Sequence, residues 1–325
     1  MNITFLDTKT MGKVPNFHLL EKLGNFIAYP ITKPDERIER LKNVDILITC
    51  KVIIDKQIID TCPKLKLICV AATGTNNIDV EYAFEKGIQV KNVVNYSTES
   101  VAQMTVGMIL YLVNQLNYFD RYVKTGAYIK SDMFTHYGPE FYELNGKRAG
   151  IIGLGNIGKR VARILEGFGM EIVYFSTTGK NNNNDYLRLE LDELLITSDI
   201  VSIHSPLNAQ TKDLITFSRL KLMKPSGFII NTGRGGIIKE LDLVEAINQQ
   251  VIGGAGLDVY EKEPMIADSP ILKVKYPERL ILTPHAAWTS IEARSLLIEK
   301  IAHNIVEFLG VEHKNPTSKK GFVLE

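Results

Sequence analysis

The stretch RAGIIGLGNIG, residues 148–158, decides the fold of this chain. Its first five residues form an apolar run typical of a buried strand, and the segment KRVARILEGFG that follows it has the spacing of an amphipathic helix. The glycines between them fit a turn that lets the backbone approach a pyrophosphate, with the helix amides facing the phosphates. A plain structural turn is the alternative, but strand, turn and helix agree. We therefore predict a dinucleotide site at Gly153, Gly155, Asn156, Ile157 and Gly158.

The end of the next predicted strand, 171–175, bears on which nucleotide binds. The dinucleotide pattern places an acid there, about 20 residues after the glycines, to bind the ribose. This chain instead has Ser176, Thr177 and, slightly later, Lys180. Hydroxyls and a lysine can bind a 2′-phosphate that an aspartate would repel, so we expect NADP as well as NAD to be accepted. The alternative is a polar turn in a protein that uses NAD without the usual acid.

Short apolar runs alternate with amphipathic stretches from end to end, which predicts a parallel α/β architecture. Residues 97–117 predict one long helix. Residues 118–145, rich in Tyr and Gly, predict a connecting loop or arm. The asparagine run 181–184 is interpreted as a surface loop tip, 290–309 as a second long helix, and the chain from Gly310 as a polar tail.

Composition excludes several classes of protein. The chain has 325 residues, enough for about two domains, and 38 basic against 37 acidic side chains, a net charge of +1. This charge gives no field to attract nucleic acid or an anionic membrane. The longest apolar run, 106–113, is far shorter than the roughly 18 residues of a membrane helix. With no signal-peptide pattern and only three cysteines, the sequence predicts a reduced, soluble, cytoplasmic protein.

Reactive side chains follow three further predicted strands, in NTGRGG (231–236), LDVYEKEP (257–264) and TPHAAW (283–288). Ligands of open α/β sheets bind beyond the carboxyl ends of the strands, so Arg234, Asp258, Glu263 and His285 are expected to converge there. An arginine fork binds a carboxylate, and a histidine oriented by a glutamate suits proton exchange with an alcohol oxygen. Taken singly, each residue also has a structural interpretation, such as a surface charge, a turn or a cap.

The chain resembles the D-isomer-specific 2-hydroxyacid dehydrogenases, in particular the glycerate/hydroxypyruvate reductase-like members. The resemblance covers nearly the whole chain and rests on VAATGTNNID (70–79), TESVAQMTVGMIL (98–110), GLGNIG (153–158), IHSPLNAQT (203–211), NTGRGGIIKE (231–240), GAGLDVYEKEP (254–264) and TPHAAW (283–288). It implies two doubly wound parallel-sheet domains, with a Rossmann cofactor domain inserted into a flavodoxin-like substrate domain. The implied boundaries are 1–100 and 290–325 for the substrate domain and 101–289 for the cofactor domain.

The resemblance also implies roles for individual residues. The catalytic set would be Arg234, Glu263 and His285. The substrate carboxylate would bind the amides of Thr73 and Gly74 together with Arg234. Further cofactor contacts would come from Val101, Ser205, Pro206, Thr232, Gly233 and Asp258. No metal is expected.

The implied activity is hydride transfer between a nicotinamide cofactor and a small D-2-hydroxy acid or 2-keto acid, with glyoxylate, hydroxypyruvate or glycerate as the expected substrates. A homodimer is expected, with the aromatic arm 118–142 as a contact surface. Two alternatives stay open: a nucleotide-sensing corepressor or scaffold on the same fold, and a dehydrogenase of another small anion such as phosphite or formate.

Overall fold

The computed structural model describes residues 1–310, and the chain divides into two units. Unit 1 consists of Met1–Ser97 together with the chain from Thr289 onward, and unit 2 consists of Thr98–Trp288. Unit 2 is therefore an insertion within the sequence of unit 1, and each unit is built on one sheet. The predicted polar tail beyond Gly310 lies outside the described residues.

Unit 1 contains a five-stranded parallel sheet in the order β2-β1-β3-β4-β5. This order is that of flavodoxin-like folds, which confirms the predicted fold of this unit. The strands are β1 Asn2–Phe5, β2 Asn25–Ala28, β3 Ile46–Thr49, β4 Leu67–Val70 and β5 Gln89–Lys91.

Unit 2 contains a seven-stranded parallel sheet in the order β12-β11-β10-β9-β6-β7-β8. From β8 to β11 the order matches the 3-2-1-4-5-6 arrangement of dinucleotide-binding folds, with β12 added at one edge. The Rossmann prediction is thus confirmed. The strands are β6 Arg148–Ile152, β7 Glu171–Phe175, β8 Leu187–Arg188, β9 Ile200–Ile203, β10 Phe228–Asn231, β11 Gly254–Leu257 and β12 Leu280–Leu282.

Helices lie in most of the connections between consecutive strands, because parallel pairing needs long crossover connections that are usually helical. In chain order they are α1 His18–Glu21, α2 Arg37–Leu41, α3 Lys56–Asp60, α4 Val80–Glu85, α5 Thr98–Val113, α6 Leu116–Lys124, α7 Asn156–Gly167, α8 Leu191–Thr197, α9 Phe217–Leu220, α10 Glu240–Asn248 and α11 Ile291–Phe308. Asp55, Asp79 and Ser290 cap α3, α4 and α11 through side-chain oxygens that accept a backbone N–H.

The sheet of unit 2 is buried on both faces. Neighbouring residues of one strand point to opposite faces, and Ile151 and Ile152 accordingly lie in two different apolar clusters, as do Tyr174 and Val173. All four of these side chains are at most 1% exposed. Burial on both faces explains why the strands read as continuous apolar runs, and it leaves the strand ends as the place for polar chemistry.

The prediction of one helix over 97–117 is wrong. Helix α5 ends at Val113, and Gln115 adopts a left-handed backbone conformation with φ of 52° before α6 begins at Leu116. A left-handed residue cannot continue a right-handed helix, so the chain changes direction there. The predicted loop 118–145 is correspondingly wrong in its first part, since α6 extends to Lys124 and a short 3₁₀ turn covers Tyr128–Lys130.

Residues 1–310 also show whether the chain has membrane-spanning helices, disulfides or clustered metal ligands. In this range no helix is long and apolar enough to cross a membrane. The three cysteines are free thiols buried inside unit 1. No group of three or more His, Cys, Asp or Glu side chains in the same range is placed to hold a metal ion.

Candidate active site and dinucleotide site

The glycine turn, residues 153–158, connects β6 to α7 and needs glycine at two positions. Gly153 has φ of 91°, and a Cβ added there would lie 2.9 Å from the backbone nitrogen of Ser205. A Cβ at Gly158 would lie 2.3 Å from the carbonyl oxygen of Gly153. Around Gly155 no atom lies within 4 Å of an added Cβ, so the space above it is open. The backbone here can therefore approach a pyrophosphate beside the first amides of α7, and the residues fit a dinucleotide.

Four more of the predicted nucleotide contacts lie in the glycine turn or follow the neighbouring strand β9. Asn156 is the first residue of α7, and Ile157 is half-buried against the core. Ser205 follows the carboxyl end of β9 and is 3% exposed, and its Oγ has no hydrogen-bond partner within residues 1–310. The next residue, Pro206, is exposed. An orphaned buried hydroxyl beside the glycine turn is consistent with a ligand that supplies its partner.

His204 precedes Ser205, and no sequence pattern assigns it a role. Its Nε2 lies 2.8 Å from Ser202 Oγ, while its Nδ1 has no hydrogen-bond partner in the described part of the chain. Burial of the ring lowers the pKa of His204 to about 3. The side chain is therefore neutral at physiological pH and adds no charge beside the nucleotide.

The segments that carry the predicted catalytic residues follow three adjacent strands, β10, β11 and β12. Asn231 pairs with Leu257 in register, and Leu257 pairs with Leu282. The strands therefore end side by side and bring Arg234, Asp258 and His285 to the same edge of the sheet. A Cβ at Gly235 would lie 1.8 Å from the carbonyl oxygen of Tyr260, so the arginine loop packs directly on the segment that follows β11.

Glu263 and His285 form a hydrogen-bonded pair, with 2.7 Å between Oε2 and Nδ1. The other carboxylate oxygen, Oε1, accepts the Tyr260 backbone N–H at 3.0 Å, which fixes the carboxylate. The His285 backbone is left-handed, with φ of 54°, and its N–H donates to the carbonyls of Asp258 (2.8 Å) and Thr283 (3.0 Å). Non-glycine residues in this conformation cluster at functional sites. With Nδ1 held by the carboxylate, Nε2 is the nitrogen for proton exchange with a ligand.

Asp258 organises the turn that carries His285. Its Oδ1 accepts the Thr283 hydroxyl at 2.5 Å and the Ala286 N–H at 2.7 Å, and its Oδ2 accepts the Ala287 N–H at 3.0 Å. The residue is 1% exposed, and this burial raises the pKa of Asp258 against the opposing effect of the hydrogen bonds and of His285. The sequence also allowed Asp258 to be a cap for the turn that follows it. In the structure its side chain instead accepts hydrogen bonds from the segment after β12.

Arg234 lies on the neighbouring loop, and its guanidinium has no acidic partner within residues 1–310. The loop is held by Asn231, whose Nδ2 donates to the Arg234 carbonyl (2.9 Å) and whose Oδ1 accepts the Gly233 N–H (3.0 Å). Nη1 of Arg234 donates to the Gly233 carbonyl at 2.8 Å, and no carboxylate of residues 1–310 lies within ion-pair distance. The half-buried fork is therefore available to a carboxylate ligand.

Thr232 and Val101 are linked through α5. The Thr105 hydroxyl donates to the Val101 carbonyl at 2.8 Å and lies 2.9 Å from the Thr232 hydroxyl. One turn earlier, Ser100 Oγ donates to the Ala287 carbonyl at 2.6 Å. The start of α5 therefore lies against both the arginine loop and the histidine turn. Thr105 and Ser100 are connections that the sequence motifs do not reveal.

A second group that the motifs do not reveal supports the loop after β11. The Glu240 N–H donates to Glu261 Oε1 at 2.9 Å, and the Glu261 N–H donates to Glu240 Oε1 at 2.7 Å. The Tyr260 hydroxyl donates to the Thr283 carbonyl at 2.9 Å. These bonds hold the segment between Asp258 and Glu263 in one conformation.

Within unit 1, Thr73 and Gly74 lie on the turn after β4. The Thr73 hydroxyl donates to the Val93 carbonyl at 3.0 Å, and Asn92 Nδ2 donates to the Thr73 carbonyl at 2.6 Å. The backbone N–H groups of Thr73 and Gly74 donate to no acceptor in the part of the chain that the structure describes. A fixed turn with two unused amides is suited to an anion.

Ser176, Thr177 and Lys180 lie at the carboxyl end of β7. The Gly179 N–H donates to the Ser176 carbonyl at 3.2 Å, which closes a turn. Ser176 is buried, Thr177 is half-buried and Lys180 is exposed. The turn contains no acid.

Comparison with known proteins identifies the family. Residues 106–287, more than half of the chain, match the family described as D-isomer specific 2-hydroxyacid dehydrogenase, NAD binding domain. The chain is 34% identical over 307 residues to the hydroxypyruvate reductase of Blautia hydrogenotrophica, covering 92% of this chain and 94% of that protein. It is 36% identical over 281 residues to the glyoxylate reductase of Thermococcus litoralis, covering 83% and 82%.

A solved structure with a similar fold is that of the acyclic imino acid reductase Bsp5 in complex with NADPH and D-Arg. Its TM-score is 0.84 at 30% identity, and the match covers 95% of this chain and 97% of that chain. Sequence motifs, strand order and relatives agree, and the chain belongs to the D-isomer specific 2-hydroxyacid dehydrogenases, a family of oxidoreductases with a nicotinamide cofactor.

Proposed function

We propose that this protein interconverts a small D-2-hydroxy acid and its 2-keto acid, with glyoxylate, hydroxypyruvate or glycerate as substrate. The observation that carries the proposal is the 2.7 Å pair of Glu263 and His285 beside an unpaired Arg234, on the sheet that also bears the glycine turn. These groups are an oriented acid–base and an anion-binding fork, which are what reduction of a keto acid requires. The names of the two reductases that resemble the chain support the same substrate class.

The proposed reaction divides its tasks among a few residues. The amides of Thr73 and Gly74 and the Arg234 fork bind the substrate carboxylate, and Arg234 also polarises the keto oxygen. The nicotinamide supplies the hydride that reaches C2. His285 gives the proton to the oxygen through Nε2, while Glu263 holds the ring and stabilises its charged form. In the oxidative direction His285 takes that proton back.

The proposed nucleotide contacts are those of the glycine turn, the start of α5 and the ends of β9 to β11. Gly153, Gly155, Asn156, Ile157 and Gly158 would hold the pyrophosphate. Ser205 and Pro206 would border the adenosine, and Thr232 and Gly233 would line the pocket. Val101 would contact the nicotinamide, and Asp258 would accept a hydrogen bond from its carboxamide. We further propose that Ser176, Thr177 and Lys180 allow NADP(H) as well as NAD(H) to bind, since the turn offers hydroxyls and a cation in place of an acid.

The test of the proposed function is turnover by His285→Ala, followed through the absorbance of reduced nicotinamide. The wild type should reduce hydroxypyruvate or glyoxylate, and the variant should lose most of this turnover while it binds the reduced cofactor normally. Phosphite and formate with oxidised cofactor serve as substrate controls. Unchanged turnover in the variant would refute the role of His285. Nucleotide binding without turnover of any 2-keto acid would favour a sensing role.

We also propose a cytoplasmic homodimer that forms through the aromatic arm 118–142. This segment presents large apolar side chains to solvent, among them Phe134 at 91% and Tyr137 at 84% exposure. Exposed apolar patches with aromatic residues are typical of interfaces. Light scattering on the purified protein should give the mass of two chains, and Phe134→Ser should shift it toward one. A wild type that is monomeric at micromolar concentration would refute the dimer.

A further inference from the structure

Two cations without an acidic partner accompany the carboxyl end of β7. Arg188 ends β8 and lies opposite Tyr174 in the parallel register. Its Nη1 donates to the Gly179 carbonyl at 3.0 Å, although the two residues are nine positions apart. Within residues 1–310 no carboxylate is ion-paired with Arg188 or with Lys180. The charge on both side chains is therefore available to a ligand.

The guanidinium of Arg188 lies against the turn that replaces the usual ribose-binding acid. This turn runs from Ser176 to Gly179, where φ is 69°. A Cβ built on Gly179 would lie 3.7 Å from Nη2 of Arg188, which shows how closely the fork approaches the turn. One of the five N–H donors of the Arg188 guanidinium is used by the Gly179 carbonyl, and the others can reach an anion on the same turn.

Asn181 ties this turn to the glycine turn. Its Nδ2 donates to the Leu154 carbonyl at 2.7 Å, and its backbone N–H donates to Ser176 Oγ at 3.3 Å. The Tyr174 hydroxyl donates to the Asn181 carbonyl at 3.1 Å. The first residue of the asparagine run therefore connects the two turns, while the run as a whole lies outside helices and strands and is half-buried to exposed. The Ser176 hydroxyl, which accepts from Asn181, retains its own hydrogen for a ligand.

We infer that Arg188, together with Lys180 and the Ser176 hydroxyl, binds the 2′-phosphate of NADP(H) and makes the chain prefer the phosphorylated nucleotide. The inference rests on the proposed function, because it requires the adenosine ribose to lie at the end of β7. A guanidinium fork and a phosphate form two parallel charge-assisted hydrogen bonds, which are among the strong ones in proteins. The dinucleotide pattern expects the ribose-binding residue directly after β7. Arg188 instead comes from the neighbouring strand β8, so that pattern does not reveal it.

The experiment compares the affinities of 2′,5′-ADP and 5′-AMP, which differ only in the 2′-phosphate, by isothermal titration calorimetry. Arg188→Ala should weaken 2′,5′-ADP binding by about tenfold or more and leave 5′-AMP within about twofold, because only a charged hydrogen bond to the phosphate is lost. Arg188→Lys should fall between wild type and Arg188→Ala, since a point charge replaces the fork. Lys273→Ala, which removes an exposed cation elsewhere in unit 2, is the matched control and should change neither affinity.

The outcomes separate this inference from the proposed function. If the wild type binds both ligands equally, or if Arg188→Ala weakens both by the same factor, the 2′-phosphate site is refuted while the dehydrogenase proposal stands. If the wild type binds neither ligand and no reduced nicotinamide, both proposals fail. A folded Arg188→Lys variant with wild-type preference would show that the charge alone suffices and that the fork does not matter.

Discussion

The pair of Glu263 and His285 gives the sharpest test of the catalytic proposal, through the substitution Glu263→Gln. Glutamine keeps one oxygen that can accept the Tyr260 N–H, now bonded at 3.0 Å, so the loop keeps its conformation. The amide group, however, presents N–H where Oε2 now meets Nδ1 at 2.7 Å. The substitution therefore removes a negative charge from the imidazole and leaves nearly the same shape.

The magnitude follows from the bond that is lost. A hydrogen bond between charged partners contributes about 1.5–3 kcal/mol, and every 1.4 kcal/mol is a factor of about ten in rate, so kcat for keto-acid reduction should fall about 10- to 150-fold. The loss falls on kcat because the bond is strongest while His285 is the charged proton donor. Binding of the reduced cofactor should be unchanged, since neither residue is assigned a contact with it.

The assay is steady-state reduction of glyoxylate and hydroxypyruvate, with cofactor affinity measured separately by fluorescence. Glu261→Gln is the matched control, because Glu261 lies on the same loop and accepts the Glu240 N–H at 2.9 Å. Because Glu261 is exposed, this substitution should change the free energy of unfolding and the activation free energy by no more than about 0.5 kcal/mol each. The corresponding change in kcat is about twofold. If Glu263→Gln keeps wild-type kcat, or if Glu261→Gln loses as much, the pair does not act as an oriented acid.

Three further expectations concern other parts of the protein. Arg234→Lys should raise KM for the keto acid by about tenfold or more in steady-state kinetics, because a point charge cannot copy a bidentate fork. Gly155→Ala should weaken binding of the reduced nicotinamide cofactor in a fluorescence titration, because the added methyl group would occupy the open space above the turn. The midpoint of thermal unfolding should stay unchanged. Gly153→Ala, whose Cβ would be 2.9 Å from a backbone nitrogen, should lower that midpoint. His204 has a folded pKa of about 3, below its unfolded value of 6.5, so its contribution to stability is complete above pH 6.5 and is lost as pH falls toward 3. Urea unfolding should show a loss of up to about 1.4 kcal/mol per pH unit that His204→Gln abolishes.

The parts of the molecule that the sequence predicted depend on short local patterns. The glycine turn needs Gly153 and Gly158 because backbone and neighbouring atoms leave no room for a Cβ. The burial of both sheet faces produces apolar runs that are visible without a structure. The order of the strands then determines that segments after β10, β11 and β12 end side by side, so the family motifs and the open-sheet rule were sufficient to place them at one edge.

The parts that could not be predicted depend on contacts between distant segments. Gln115 is not a residue that favours a left-handed conformation, and no pattern in the sequence indicates that the long helix breaks there. The two-residue strand β8 is too short for an alternating pattern, so the position of Arg188 next to β7 was invisible. Asn181 is of the same residue type as its three neighbours in the run, and only its contacts with Leu154, Ser176 and Tyr174 in the folded chain distinguish it.

In the proposed reaction, Asp258 has a structural task and a ligand-binding task together. Its carboxylate offers about four acceptor positions, and Oδ1 uses two of them for Thr283 and Ala286, while Oδ2 uses one for Ala287. Among the described residues, these bonds leave one acceptor position at Oδ2, which in the proposed reaction would accept the amide N–H of the nicotinamide carboxamide. Because the same carboxylate fixes the turn that holds His285, a nicotinamide bound there would be held at a set position relative to the proposed proton donor. One buried side chain would then position both the hydride donor and the proton donor, through bonds that no pattern of sequence spacing specifies.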